Sequence, residues 1–300
     1  MKITGRARLA GIMGWPIAHS RSPALHNFWI EEHGLDGVYV PMPVRPERLA
    51  EALRALPALG FRGCNLTIPH KQAALAIVDR VDPAARRIGA INTVVVMSDG
   101  SLAGTNTDVY GFRESLREAA PGWRPAGAAV VLGAGGASRA VVAALIEAGS
   151  SEIRLVNRTL ARAAALAEDL AAANCRISIH PWSDRRSVLQ DAGILVNTTS
   201  LGMAAEPPLQ LDLSLLPADA IVVDIVYVPL ETPLLAAARQ RGNTVVDGLG
   251  MLLHQGRPGF EAWFDTPVRV TRELRAAVLT TLAPAPSGIV GSDGTGHGRG

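Results

Sequence analysis

The feature that most constrains the fold of this chain is a glycine-rich stretch at residues 128–139, which reads AAVVLGAGGASR. An apolar run typical of a buried strand leads directly into the glycines, and residues 140–148 then predict a helix. A strand, a tight glycine turn and a helix form the opening unit of dinucleotide-binding folds. Glycine turns also join strands to helices in many other α/β proteins, so a purely structural turn stays open at this point.

The residue types within this turn suit a pyrophosphate. Gly133 permits a tight turn, and the missing Cβ at Gly135 lets the backbone approach phosphates closely. Ser138 stands at the third fingerprint position and is small enough to keep the helix near the strand. Backbone N–H groups at the start of the helix would face the phosphates, and the helix dipole favours an anion there.

The next predicted strand indicates which dinucleotide binds. It covers residues 153–156 and is followed by Asn157, Arg158 and Thr159, with Arg162 one helical turn further on. An NAD site normally carries an acidic residue here, which binds the ribose 2′-hydroxyl. Guanidinium groups favour a 2′-phosphate instead, through charge-assisted hydrogen bonds. The pattern therefore predicts NADP; for Arg158 alone, a solvated arginine at a helix start is the simpler alternative.

The composition argues against nucleic-acid-binding and membrane proteins. Of the 300 residues 48% are hydrophobic and 19% are charged, and the net charge is +2. This balance supports one large or two modest domains and offers no basic tract for nucleic acid. No apolar run reaches the ~20 residues of a membrane helix. The two cysteines, Cys64 and Cys175, are too few for a disulfide framework. No HxxxH or CxxC spacing indicates a metal site. We therefore expect a metal-free cytoplasmic protein.

One internal lysine stands out against the rest of the chain. The 29 basic side chains include only two lysines, Lys2 and Lys71. The arginine bias itself is most simply a matter of codon composition, but arginine stays protonated in proteins, whereas lysine can release and recover a proton. Lys71 is thus a candidate for proton transfer. We place it in the first turn of a helix that begins at Pro69, where a cation opposes the helix dipole.

Periodicity and turn residues divide the chain into strands and helices. In the first half we predict strands at residues 8–13, 37–44, 61–66, 88–97 and 102–105, and helices at 23–32, 46–56, from 69 onward and 109–119. Asp99 and Gly100 indicate a hairpin turn between the last two of these strands. Further strands are predicted at 128–132, 153–156, 177–179, 194–196, 221–226 and 244–246, and helices at 140–148, 160–173 and 232–241. This βαβα pattern predicts a doubly wound parallel sheet, followed by terminal helices at 248–263 and 270–282 and a mobile tail at 284–300.

Polar residues at two predicted helix starts allow two interpretations each. Ser20 and Ser22 lie two positions apart where their hydroxyls could hold a carboxylate, but Ser22 is also a candidate N-cap. Asp108 directly precedes the helix at 109–119 and could act in catalysis or simply as an N-cap.

Seven blocks together resemble the shikimate dehydrogenase family, over most of the chain except the tail. They are residues 14–23 (GWPIAHSRSP), 65–71 (NLTIPHK), 89–93 (GAINT), 106–108 (NTD), the glycine turn at 133–138, 157–159 (NRT) and 248–255 (GLGMLLHQ). The resemblance implies two α/β domains: a discontinuous substrate domain of residues 1–107 with 248–283 returning to it, and a Rossmann-like NADP-binding domain of residues 108–247. It also implies reversible NADPH-dependent reduction of 3-dehydroshikimate to shikimate.

The same resemblance implies site residues. Lys71 and Asp108 would handle the hydroxyl proton, which agrees with the need for a proton donor beside the developing alkoxide. The implied substrate residues are Ser20, Ser22 and Tyr227 at the carboxylate, and Asn65, Thr67, Asn92, Asp108 and Gln255 at the ring hydroxyls. The implied cofactor residues are Gly133, Ala134, Gly135, Gly136, Ala137 and Ser138 at the pyrophosphate, Asn157, Arg158, Thr159 and Arg162 at the 2′-phosphate, and Thr198, Ser200, Ile225, Gly248 and Met251 toward the nicotinamide.

Two other functions remain open from the sequence. Quinate could be a substrate, since it differs from shikimate by saturation and one extra hydroxyl near the carboxylate. An NADP-binding regulatory module without chemistry is the alternative from another class, although retention of both Lys71 and Asp108 argues against it. We expect a monomer or a homodimer.

Overall fold

The structure, a computed structural model, describes residues 3–204 and 206–282 and has the predicted α/β architecture. The strands are β1 (Arg8–Gly14), β2 (Gly37–Pro43), β3 (Phe61–Leu66), β4 (Arg80–Val81), β5 (Thr93–Val96), β6 (Leu102–Thr105), β7 (Ala128–Leu132), β8 (Glu152–Asn157), β9 (Arg176–Pro181), β10 (Ala192–Asn197), β11 (Ile221–Asp224) and β12 (Thr244–Val246). The α-helices are α1 (Ser22–Glu32), α2 (Leu49–Ala55), α3 (Pro83–Ile88), α4 (Asp108–Ala119), α5 (Gly136–Glu147), α6 (Leu160–Asp169), α7 (Pro233–Gln240), α8 (Gly248–Phe264) and α9 (Arg272–Thr280). The predicted tail at 284–300 lies outside the described residues.

The first half of the chain forms a mixed sheet with the strand order β2-β1-β3-β5-β6-β4. Strand β1 lies at its parallel centre, paired with β2 and β3, whereas β5 runs antiparallel to both β3 and β6. The predicted hairpin turn is confirmed, because β5 and β6 pair antiparallel across Gly100, whose φ is 81°. The ends of β1 and β3 and the start of β5 thereby come to neighbouring positions in the sheet.

The second half forms a parallel sheet with the order β12-β11-β10-β7-β8-β9. This is the doubly wound arrangement, and the strand order reverses between β7 and β10. Ligands of such sheets bind outside the carboxyl ends of the strands at this reversal. All residues of β7 are buried, which explains its continuous apolar run. The predicted doubly wound parallel sheet is confirmed.

Helix α8 returns the chain from the second sheet to the first. It begins directly after β12, where the Asp247 carboxylate accepts a hydrogen bond from the N–H of Leu249 (3.0 Å). At its other end, Trp263 Nε1 donates to the carbonyl of Val94 in β5 (3.0 Å). Within residues 3–204 and 206–282, no helix is long and apolar enough to cross a membrane.

The segment around Lys71 differs from the prediction. Pro69 does not begin an α-helix; the chain turns at residues 68–72 and then forms a short 3-10 helix at Ala73–Ala76. The N–H of Ile91 donates to the carbonyl of Lys71 (2.8 Å), which ties this segment to the chain before β5, and the N–H of His70 donates to the carbonyl of Thr67 (2.8 Å) within the turn. The prediction that Lys71 opposes a helix dipole is therefore wrong.

The predicted strand at 88–97 is also wrong in its first part. Residues up to Ile88 belong to α3, which Asp82 caps by accepting from the N–H groups of Ala84 and Ala85. Gly89 ends the helix with a φ of 72°, and the strand itself begins only at Thr93. Because apolar residues lie on both sides of Gly89, the hydrophobic pattern does not show that a helix ends there.

The other differences concern the ends of helices and strands, the short strand β4, which was not predicted, and one missing alternation. Helix α5 begins at residue 136 instead of 140, α6 ends at 169 instead of 173, and the predicted helix at 46–56 divides into a 3-10 helix at Pro46–Arg48 and α2. Between β9 and β10 the structure has only short 3-10 helices, Trp182–Arg185 and Ser187–Leu189. The described residues between β10 and β11 contain no α-helix, so the βαβα alternation is incomplete there.

Neither predicted side-chain cap forms. Helix α1 begins at Ser22 itself, and α4 begins at Asp108 itself; no side-chain cap precedes either one. The N–H of Asp108 instead donates to Oδ1 of Asn106 (2.9 Å), which takes up one of the free donors of the helix start. Both residues are therefore available for another role.

Candidate active site

A cavity of about 160 Å³ lies where the ends of β1 and β3 and the start of β5 meet the starts of α4 and α8. The residues predicted for catalysis and for substrate all line it: Ser20, Ser22, Asn65, Thr67, Lys71, Asn92, Asp108, Tyr227 and Gln255. Ile225, Gly248 and Met251, predicted to face the nicotinamide, line it as well. Segments that are far apart in the sequence, from residue 12 to residue 255, thus converge on one cavity.

An ion pair between Lys71 and Asp108 lies in this cavity. Lys71 Nζ donates to Asp108 Oδ2 at 2.5 Å, and the two side chains are 20% and 6% exposed. The other carboxylate oxygen, Oδ1, accepts from Asn92 Nδ2 at 2.8 Å. The carboxylate is fixed from both sides, so it holds the ammonium group in one place while that group keeps some access to solvent.

The Asn92 amide is oriented by a backbone group. The N–H of Thr107 can only donate, and it donates to Asn92 Oδ1 at 2.8 Å. Asn92 Nδ2 must then face the other way, toward Asp108 and the hydroxyl of Thr107 (3.0 Å). Gln255 Oε1 lies 3.3 Å from the same Nδ2 and joins α8 to this cluster. Asn92 therefore aligns the Asp108 carboxylate in addition to lining the cavity.

The Ser20 and Ser22 hydroxyls lie on the side of the cavity formed by the start of α1. The N–H of Ser22 donates to Ser20 Oγ at 3.3 Å, which draws the two serines together. Tyr227 lines the same cavity, and burial raises the pKa of its phenol, opposed by the nearby Arg21 guanidinium. Hydroxyl donors and a helix N-terminus suit a carboxylate group.

The glycine turn is built as the sequence predicts. Gly133 has a φ of 108°, and a Cβ there would lie 2.7 Å from Thr198 Oγ1, so only glycine fits without strain. Ser138 is fully buried, and its hydroxyl donates to the Gly133 carbonyl at 2.6 Å, which closes the turn. A Cβ on Gly135 or on Gly136 would meet no protein atom within 4 Å. The space beside this turn is open for a phosphate group.

The residues predicted for the 2′-phosphate lie at the end of β8, next to this turn. The N–H of Gly133 donates to the carbonyl of Val156 at 2.8 Å, which joins the end of β7 to the end of β8. Arg158 and Arg162 are exposed, and within the described part of the chain neither guanidinium forms an ion pair. Thr159 precedes α6 without capping it. Two unpaired cations and a free hydroxyl can receive a dianionic phosphate.

The last predicted cofactor residues follow β10. Thr198 Oγ1 donates to the carbonyl of Leu132 at 2.6 Å, so this loop is attached to the glycine turn; Ser200 follows as an exposed residue. The remaining phosphate-turn residues, Ala134 and Ala137, lie beside the glycines. No cluster of His, Cys, Asp or Glu suited to a metal ion is present among the described residues.

Sequence reasoning missed several residues of the cavity and its support. Ile12, His19, Leu66 and Leu252 also line the cavity, and Thr93, Thr107 and Tyr39 hydrogen-bond the residues that do. Thr107 could have been found, since it lies inside the NTD block. Tyr39 carries no local signal, because only the pairing of β1 between β2 and β3 brings it near Asn65.

Comparison with known proteins assigns the family. Residues 12–94 match the family described as "Shikimate dehydrogenase substrate binding domain", and residues 124–207 match "Shikimate / quinate 5-dehydrogenase". The shikimate dehydrogenase (NADP(+)) of Rhodospirillum rubrum is 60% identical over 279 residues, which cover 92% of this chain and 99% of the relative. The chain belongs to the shikimate dehydrogenase family. The predicted family, with its oxidoreductase class and NADP as cofactor, is confirmed.

Solved shikimate dehydrogenase structures share the whole described fold. Shikimate 5-dehydrogenase from Thermus thermophilus, in complex with NADP(H) and shikimate, has a TM-score of 0.80 and 40% identity and covers 91% of this chain and 99% of its own. Quinate dehydrogenase from Corynebacterium glutamicum, in complex with NAD, has a TM-score of 0.85 and 34% identity and covers 91% and 99%. Proteins of this fold thus bind NADP(H) together with shikimate in one case and NAD in the other.

Proposed function

We propose that this shikimate dehydrogenase reversibly reduces 3-dehydroshikimate to shikimate with NADPH, with Lys71 and Asp108 handling the hydroxyl proton. The observation that carries the proposal is the Lys71–Asp108 ion pair inside the cavity that the two serines also line. An acid–base pair and a carboxylate-binding edge in one small cavity suit a hydroxylated ring acid.

The cavity residues divide into two groups in this proposal. Ser20, Ser22 and Tyr227 bind the substrate carboxylate, because they supply hydroxyl donors beside the start of α1. The ring hydroxyls are held by polar side chains from the first sheet and from the helices α4 and α8, which are Asn65, Thr67, Asn92, Asp108 and Gln255. Carboxylate binding at one edge fixes which ring carbon meets the acid–base pair.

The glycine turn and the free arginines fit NADP. The open space at Gly135 and Gly136 accepts the pyrophosphate, and the unpaired Arg158 and Arg162 accept the 2′-phosphate. Thr159 and Asn157 complete that phosphate site, while Thr198, Ser200, Ile225, Gly248 and Met251 lead toward the cavity. When bound, NADPH supplies the hydride for the carbonyl carbon, as the nicotinamide does in hydride transfer.

The chain itself supplies the proton. In the direction of reduction, the Lys71 ammonium donates a proton to the oxygen of the carbonyl as negative charge develops on it. The Asp108 carboxylate holds Nζ in position and stabilises the ammonium form before the transfer and again once Lys71 has been reprotonated. Lys71 is 20% exposed, so it recovers its proton from solvent. In oxidation the same steps run backward, and neutral Lys71 accepts the hydroxyl proton.

The predicted domain bounds belong to the same proposal. The first sheet lies within residues 1–107 and the second within 108–247, and the α8 contact to Val94 supports assigning residues 248–283 to the substrate domain. We also propose a cytoplasmic enzyme that acts as a monomer or a homodimer. The buried free thiols of Cys64 and Cys175 suit a reducing compartment.

Quinate is the second candidate substrate, favoured by the likeness to a quinate dehydrogenase. Formation of NADPH is measured at 340 nm with shikimate, with quinate and without substrate, and each assay is repeated with NAD⁺. The proposal expects turnover with shikimate and NADP⁺ well above the other combinations. Faster turnover of quinate than of shikimate would contradict shikimate as the substrate, and faster turnover with NAD⁺ than with NADP⁺ would contradict NADP as the cofactor. No turnover with any pair would favour a regulatory module.

A further inference from the structure

Tyr39 lies outside the cavity but its phenol contacts two residues that line it, Asn65 and Ser22. It belongs to β2, is 1% exposed, and its hydroxyl lies 2.6 Å from Asn65 Oδ1. Asn65 in β3 is itself 3% exposed and lines the cavity. A buried tyrosine hydroxyl needs a partner, and here the partner is a predicted substrate residue.

Backbone groups determine which atom of the Asn65 amide faces Tyr39. Asn65 Nδ2 lies 3.1 Å from the carbonyl of Asn92, which can only accept, so Nδ2 is the donor at that position. Its second hydrogen is directed at Thr93 Oγ1, also at 3.1 Å. Oδ1 must therefore face Tyr39, and the phenol must donate to it.

The hydrogen bonds continue in one direction to the catalytic pair. The Thr93 hydroxyl accepts from Asn65 and lies 3.0 Å from Asn92 Oδ1, to which it donates. Asn92 Nδ2 then donates to the Asp108 carboxylate. Tyr39 stands at the donor end of this chain. Burial raises the pKa of Tyr39 well above its ordinary value, so the phenol keeps the proton that it donates.

The Asn65 amide has only acceptor capacity left for a substrate. Both Nδ2 hydrogens are used within the protein, and one lone pair of Oδ1 is taken by Tyr39. The His26 ring lies beside Asn65, but neither of its nitrogens forms a hydrogen bond, so no described residue takes the second lone pair of Oδ1. Asn65 can then only accept a hydrogen bond, which requires a hydroxyl donor on the ligand.

We propose that Tyr39 is a positioning residue: its phenol fixes the Asn65 carboxamide so that Oδ1 accepts a hydrogen bond from a ring hydroxyl of the substrate. This inference rests on the proposed function, since it takes the cavity as the shikimate site. Without the phenol the amide keeps its two donor bonds to the Asn92 carbonyl and Thr93, but Oδ1 loses the one protein donor that holds it. Oδ1 is then aligned less precisely for the ring hydroxyl.

The test is Tyr39→Phe, which removes one oxygen atom and keeps the ring. The expected result is a rise of about fivefold in KM for shikimate, the equivalent of one hydrogen bond, with kcat and the KM for NADP⁺ near the wild-type values. The matched control is Tyr110→Phe, which removes a phenol bonded to Arg257 Nη1 at 2.8 Å outside the cavity. It should leave all three constants unchanged.

A double-mutant cycle separates positioning from packing. In an Asn65→Ala background, Tyr39→Phe should cause no further rise in KM, because its effect passes through the amide. A lower melting temperature with an unchanged shikimate KM in the single variant, or equal effects of Tyr39→Phe in both backgrounds, would overturn the inference. If the double variant does not fold, the comparison with Tyr110→Phe decides alone. Wild-type enzyme without shikimate turnover would contradict both the proposed function and this inference, whereas normal wild-type turnover with no KM change contradicts this inference only.

Discussion

Lys71 and Asp108 come from different parts of the chain, yet Nζ and Oδ2 lie 2.5 Å apart. Lys71 lies in the turn that follows β3 of the first sheet. Asp108 is the first residue of α4, the helix that leads toward the second sheet and packs along α8. The carboxylate also lies at the positive end of the α4 dipole. The acid–base pair thus stands at the junction of the two sheets, where a substrate on one side can meet a cofactor on the other.

Arg158 should determine the preference for NADP. Arg158→Ala removes an unpaired guanidinium at the end of β8, so NADP binding should weaken by about 1.5–3 kcal/mol, the scale of a charged hydrogen bond. NAD binding should change little, because NAD has no 2′-phosphate. Calorimetric titration with both cofactors measures this directly. Arg239→Ala, at an exposed arginine paired with Glu231, is the matched control and should alter neither affinity. Equal losses for both cofactors in Arg158→Ala would place the 2′-phosphate elsewhere.

Ser22 should act on substrate binding and not on helix stability. Its side chain does not cap α1, so Ser22→Ala should cost less than the 0.5–2 kcal/mol of a lost cap. If the hydroxyl binds the carboxylate equally in ground and transition states, KM for shikimate rises while kcat stays near wild type. Steady-state kinetics and thermal unfolding of the same preparation test both parts. A lower melting temperature with unchanged KM would restore the capping interpretation.

Much of the site was predictable because its residues occur in short blocks at element ends. The block from Asn65 to Lys71 contains a strand end and the turn after it, so residue type and spacing locate the chemistry without the fold. The conformation around Lys71 was not predictable, since Pro69 is an ordinary helix-start signal and the hydrogen bond that Lys71 receives from Ile91 comes from a distant part of the sequence. The contact of Tyr39 with Asn65 depends on strand order and pairing, which a local pattern does not contain.

Asp224 should make stability depend on pH. It is fully buried at the end of β11, and burial raises its pKa to about 6, against opposing hydrogen bonds from Thr232, the Val226 N–H and Asn197. The folded state therefore binds a proton between the ordinary aspartate pKa of about 3.9 and about 6, where the unfolded state does not. Its contribution to stability is complete below this window and is lost as pH rises through it.

Asp224→Asn tests this dependence, since an amide keeps an acceptor for the Val226 N–H and does not ionise. The free energy of unfolding of wild type relative to the variant should fall by about 2–3 kcal/mol between pH 4 and pH 7. Urea unfolding of both proteins at several pH values in this range gives the difference. A difference that is constant with pH would show that Asp224 is ionised in the folded state throughout.

Lys71 carries the central claim, and single-turnover hydride transfer at saturating shikimate and NADP⁺ tests it most directly. Lys71→Arg is the key variant, because it keeps a cation beside the 6% exposed Asp108 and removes the ability to deprotonate. Proton transfer by Lys71 predicts that Lys71→Arg and Lys71→Ala both lose about 10²–10⁴-fold in rate, with NADP⁺ affinity and melting temperature near wild type for the arginine variant. A rate close to wild type in Lys71→Arg would reduce Lys71 to an electrostatic role, and near-normal turnover in Lys71→Ala would contradict the account and assign the proton to Asp108.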